Sequence, residues 1–246
     1  VSVTIRGTPG TDGAGSTTTA SSRTPAITAG TLPGEVMIAA IAWGSSNGTI
    51  TLSTPPAGWT LLHNTNQTSA ELAVYYRYFQ AGDANPAFVL SAATPCVATC
   101  TTFSGAAAAG APVAATLAGG AASTTVSYPA ITPANADDLL IYIIEMRPTT
   151  AAAAPSLSTL PAGGTGGTVT NLGTNATNIA GVAEHSVTML TQQLTAATAI
   201  GSETSTAAQS GSCVVEALCI AAAAPAGGAP PAVVVPQAAV MQAACW

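Results

Sequence analysis

Residues 35–43, EVMIAAIAW, and residues 138–146, DLLIYIIEM, decide the fold. Each is a dense apolar run, far shorter than the roughly 20 residues a membrane-crossing helix needs. Each follows the same tetrapeptide, PAIT, at residues 25–28 and again at 129–132. Neither has a helical period. Successive side chains of a strand point to opposite faces. A run that is apolar at both odd and even positions is therefore buried on both faces, as in the middle of layered sheets. Residues 72–79 read the same way: Leu72, Val74, Tyr76 and Tyr78 point to one side, Ala73, Tyr75 and Phe79 to the other.

Outward from these runs, the chain is a series of short β-branched and aromatic segments separated by Gly, Pro, Asn and Asp. That pattern predicts an all-β protein. Strands are expected over residues 1–5, 24–28, 35–43, 49–53, 60–63 and 71–79. A second group is expected over 87–91, 97–103, 124–131, 139–146, 168–172, 181–190, 199–204 and 213–221. The one helical hint lies at 237–246.

The repeated tetrapeptide carries its neighbours with it. PPAGWTLL (55–62) meets LPAGGTGGTV (160–169), with Gly164 in the place of Trp59. The strand at 71–79 meets 181–189, and CVATCTTFSGAAAA from Cys96 meets CVVEALCIAAAA from Cys213. The order is kept while the offset grows from 104 residues (Pro25 to Pro129) to 117 (Cys96 to Cys213). This predicts a tandem duplication, its two halves facing each other in a jelly-roll-like β-sandwich with an extended C-terminal arm. Two small sandwiches in series is the alternative. The divisions are 1–23, an N-terminal strand and flexible Gly/Thr-rich loop; 24–110, the first β half; 111–224, the second; and 225–246, a Pro/Ala-rich arm.

Composition removes many functions. Only 6% of the 246 residues are charged, the net charge is −6, and all four cations are arginines. Without lysine there is no Walker-type phosphate loop and no Schiff base. Without a basic surface, nucleic-acid binding is not expected, and no segment reads as a membrane span. So charge-poor a surface suits a protein packed in an assembly. The chain is not expected to be an enzyme or to carry a cofactor or metal. His63 and His185 lack ligand spacing, and each reads as a surface or turn histidine. Glu184 and His185, adjacent in a strand, point to opposite faces and form no dyad. Asp137–Asp138 reads as a turn acid pair, and Arg77 as a stacked or snorkelling arginine. Cys96 and Cys100, four apart in a strand, are about 13 Å apart, too far for a disulfide. Buried free thiols fit assembly in a reducing cytosol, with a Cys96–Cys213 bridge across the halves as the alternative.

One constellation resembles a known family. Gly34–Glu35 opens an apolar strand; PAGWT at 56–60, YYR at 75–77 and AGD at 81–83 follow. In this order the elements resemble tailed-bacteriophage virion proteins of the capsid-decoration or minor-tail type, over roughly the first 105 residues and, through the repeat, more weakly beyond. The resemblance implies a β-sandwich that sits on a capsid or tail, in a virion assembled in the host cytoplasm. It implies as partners the major capsid protein or other virion proteins, and neighbouring copies of the chain itself.

The arm points the same way. In PAGGAPPAVVVPQAAVMQAACW a Pro/Gly linker precedes an apolar patch. Val233, Val234 and Val235 lie extended between prolines with unused backbone hydrogen bonds, suited to strand addition. Val240, Met241 and Trp246 make an apolar terminus that is costly to leave in water. These six are the expected assembly residues of a structural virion protein, foremost a capsid decoration or cement protein attaching by its loops and arm. The alternatives are a tail or fibre component binding host glycans through loops 44–48 and 163–167, and an extracellular filament subunit that assembles by strand donation.

Overall fold

The computed structural model describes residues 2–44, 49–66, 70–108, 110–117, 122–149, 156–177 and 184–224. The first half contains β1 (Thr4–Asp12), β2 (Ala20–Arg23), β3 (Val36–Trp43), β4 (Leu52–Thr54), β5 (Thr60–Asn66), β6 (Glu71–Tyr78), β7 (Phe88–Thr94) and β8 (Cys96–Ser104). The second contains β9 (Val113–Leu117), β10 (Ser123–Tyr128), β11 (Leu139–Pro148), β12 (Thr170–Ala176), β13 (Ser186–Gln193) and β14 (Glu203–Ile220). No helix occurs among the described residues. All strand pairings between these elements are antiparallel. The expected helical turn at 237–246 lies outside the described residues, as does the whole arm.

The large sheet of the first half has the order β1-β8-β3-β6-β5, and a small sheet, β2-β7-β4, covers it. The second half repeats the large sheet as β9-β14-β11-β13-β12, strand for strand. Its cover is β10 on the N-terminal part of β14, with an isolated bridge from Leu157 to Ala207 where β4 pairs β7 in the first half. The two large sheets therefore share one strand order and face each other as a sandwich. Every residue of β3 is buried, so its sheet needs a layer on each side.

One difference between the halves has a local cause. In the first, Pro95 separates β7 from β8; lacking an N–H, it stops the ladder where the chain turns from the small sheet to the large. By strand register the matching position in the second half is Ser212, which pairs normally with Arg147, so β14 runs unbroken through both layers.

Three apolar clusters result. The central one lies between the large sheets, joining Val36, Ile38, Val74 and Phe103 to Ile141, Ile143, Met189 and Leu218. The outer cluster of the first half packs Met37, Ile41, Trp43 and Tyr75 under Phe88 and Leu90, with Trp59 and Ile27 at its rim. That of the second packs Leu140, Tyr142 and Ile144 under Val126, Tyr128 and Ile131. Each fully buried side chain of this size contributes about 1.5–3 kcal/mol relative to exposure.

Register corrects the sequence alignment in three places. Trp43 pairs with Glu71, and its counterpart Met146 pairs with Ser186, so β6 corresponds to β13 at 186–193 and not to 181–189. Thr60 and Thr170 occupy matching positions, so Val169, not Gly164, stands where Trp59 does. Both reach the outer cluster. PAIT is not a strand in either copy: β2 ends at Arg23, with the Ile27 N–H donating to Asn85 Oδ1 at 2.9 Å, and β10 ends at Tyr128, leaving Ile131 in an isolated bridge to Ile200. The glycine-rich segment from Gly7, expected as a flexible loop, is strand as far as Asp12. The β9 strand at Val113–Leu117 was not expected.

Candidate interaction site at the seam between the halves

The seam is built from matching faces of the two large sheets. Its chain exits are tied together: Ala106 bridges Ala222, Ala107 N–H donates to Ala221 O at 2.8 Å, and Ala223 N–H donates to Gly105 O at 2.8 Å. The small side chains that follow Phe103 and Ile220 allow this close approach. Asp138, the buried member of the expected turn pair, accepts from Ala134 and Asn135 N–H at 2.9 Å each and from Ala222 N–H at 3.3 Å. It fixes both the turn before β11 and the exit after β14.

At another point of the seam a polar pair is enclosed. His185 Nδ1 lies 2.8 Å from Glu145 Oε1, with both side chains buried. His185 N–H donates to Thr177 Oγ1 at 3.1 Å, and the far side of the ring packs on Gly44 of the first half. Burial, reinforced by the Arg147 charge, pushes the imidazole down to about 3. Burial, reinforced by Glu71, holds the Glu145 carboxyl well above its ordinary range, although Arg147 opposes it. Both causes favour neutral partners, joined by one hydrogen bond between Nδ1 and Oε1. By register the matching residues of the first half are Ala42 and Ala70, both in the central cluster. Sequence reasoning had made His185 a surface or turn histidine. It is buried because β11 brings Glu145 to it from 40 residues away, which no local spacing signals. His63 is half-buried beside the bulge of β5, and burial lowers its pKa.

Elsewhere along the seam, β1 and β12, edge strands of the two large sheets, flank a groove of about 190 Å³. Its apolar lining is Pro9 from β1 and Leu172, Val187 and Met189 from the second half; Thr8, Thr11, Thr99 and Asn175 add polar groups. The groove exists because β1 is irregular. Between the pairs Arg6–Thr102 and Gly10–Cys100, three residues of β1 stand opposite only one of β8, which lifts Thr8 and Pro9 off the ladder. The matching strand β9 pairs without interruption.

The other expected sites resolve as structure. The Arg77 guanidinium binds Asp83, with Nε at 2.7 Å from Oδ2, and Nη1 donates to Gly58 O at 2.6 Å, tying YYR, AGD and PAGWT together. Loop 163–167 is clamped by Gln192, whose Nε2 donates to Gly164 O at 2.9 Å and Gly167 O at 2.6 Å, and by Glu203 on Gly163 N–H. Of loop 44–48, residues 45–48 lie outside the described residues. Cys96, Cys100, Cys213 and Cys219 are free thiols; burial pushes Cys100 and Cys219 up to about 12. Among the described residues no group of three or more His, Cys, Asp or Glu could hold a metal ion. Val233, Val234, Val235, Val240, Met241 and Trp246 lie outside the described residues.

No protein-family model, curated protein or solved structure matches the chain.

Proposed function

We propose that this is a structural virion protein of the capsid-decoration type, present in repeated copies and attached through the arm at 225–246. A duplication of one jelly-roll unit would account for its two halves. The observation that carries this reading is the stack itself: two large sheets of matching strand order, sealed face to face over a central apolar cluster and locked where their exits pair. A block so constructed offers a rigid mount for a tail, and the tail leaves from the lock without one charged residue. Attachment to a shell lattice through apolar contacts needs no charge steering, and the whole chain carries few charges with which to provide it. The described sites also support a mounting role. Arg77, Gln192, Glu203 and Asp138 all bind turns and exits of the chain itself.

The fibre reading fares less well. Loop 163–167 contains no aromatic side chain on which a sugar face could stack, and Gln192 already uses its carbonyls. Copy number in purified particles tests the proposal. A stoichiometry comparable to that of the shell subunit supports decoration; a few copies per particle would overturn it in favour of a tail position.

A further inference from the structure

We infer that the β1–β12 groove is the seat of the arm's own root, and that Val233–Val235 of the same chain lie in it as an extended segment. Both flanking strands are sheet edges, so a chain laid between them meets backbone groups that, among the described residues, pair with no neighbouring strand, although Gly15 N–H donates to Ala176 O at one end of β12. A tri-valine segment between prolines has a sequence that favours an extended backbone, and it has small branched side chains to set against Pro9, Leu172, Val187 and Met189. Neither surface carries a charge to desolvate: the groove lining has no ionisable side chain, and residues 225–244 have none.

Reach selects this occupant over a second copy. The exit at Ala223 is bonded to Gly105, one residue beyond Ser104, which pairs with Thr4 at the start of β1. Thr8 and Thr11 lie four and seven residues further along β1, about 13–23 Å at the rise of a strand. Residues 225–232 can span up to about 30 Å. The segment is thus tethered within range of the groove, where an intramolecular contact competes at millimolar effective concentration. Seating the root would leave Val240, Met241 and Trp246 projecting from a fixed point. The seat stands on the groove and the tether alone, whether or not the protein decorates a particle.

Methionine methyl groups report on this directly. Met189 lines the groove, whereas Met37 and Met146 are buried in other clusters. In ¹³C-methyl-methionine spectra, deleting residues 230–246 should move the Met189 signal and leave those of Met37 and Met146 in place. Val234→Asp in the full chain should reproduce the change, and a synthetic peptide of residues 230–237 added to the truncated protein should reverse it. In the full chain the Met189 position should not change over a hundredfold dilution. An unmoved Met189 signal on truncation would overturn the inference. A signal that moves on dilution would also overturn it, since the occupant would then be the arm of a second copy.

Discussion

His185 and Glu145 share a buried hydrogen bond of 2.8 Å at the seam, where the matching residues of the first half are two alanines. Its chemistry sets a pH dependence with a definite sign. The depressed imidazole binds fewer protons in the folded protein than in the unfolded chain at pH values below 6.5, so its contribution is lost as pH falls toward about 3. The raised carboxyl binds more protons when folded, so its contribution is present below 4.5 and lost as pH rises. Between 4.5 and 6.5 the two slopes oppose each other, giving a plateau that falls away on both sides. In Glu145→Gln the amide, with both an N–H and a carbonyl, can bond Nδ1 in either tautomer without a titrating carboxyl. Thermal melting across the pH range should show the alkaline fall attributable to this pair flattened in the variant and the acid fall kept. An unchanged alkaline limb would mean that Glu145 is ionised in the folded protein.

The ring of His185 also sets a steric requirement on the other half. A methyl on Gly44 would lie 2.6 Å from His185 Nε2 and within 3.3 Å of two ring carbons. Gly44→Ala should therefore cost about 1–3 kcal/mol by overpacking. The control is Gly201→Ala, where an added Cβ meets nothing within 4 Å. Equal denaturation midpoints for the two variants would mean that the halves do not close on the ring.

Arg77 joins three segments that lie apart in the sequence. Replacing it by Met keeps the stem but removes the bonds to Asp83 and Gly58. A cost of about 1–3 kcal/mol is expected, as for hydrogen bonds to charged groups, with faster exchange of the Trp59 and Gln80 amides, which cap the adjoining turns. Unchanged exchange would mean that the turns hold without the arginine.

The layered fold was legible in the sequence because double burial leaves a mark on every residue of β3 and on all of β11 but Arg147; the Ala-rich runs after Cys96 and Cys213 were visible, but their pairing was not. Other features were hidden for physical reasons. Trp59 and Val169 fill equivalent places with different shapes, so letter matching slid to Gly164 across the inserted glycines. The strand from Gly7 to Asp12 is glycine-rich because Gly10 approaches the Ala26 backbone, where a Cβ would lie 1.8 Å from Ala26 O; composition alone reads that as loop. The His185–Glu145 pair depends on β11–β13 register, and the groove on an irregularity in β1. Neither leaves a local pattern. The assembly role proposed for residues 225–246 rests on their composition.

Attachment through the arm is the central claim, and co-sedimentation with particles lacking the protein tests it most directly. Full-length protein and a variant ending before Pro230 are each mixed with such particles, pelleted and quantified, after circular dichroism has compared their folds. The account predicts that both are folded, that the full-length chain pellets with the particles, and that the truncated chain stays in solution. Equal pelleting of the two would contradict it, because attachment would then belong to the sandwich and not to the arm.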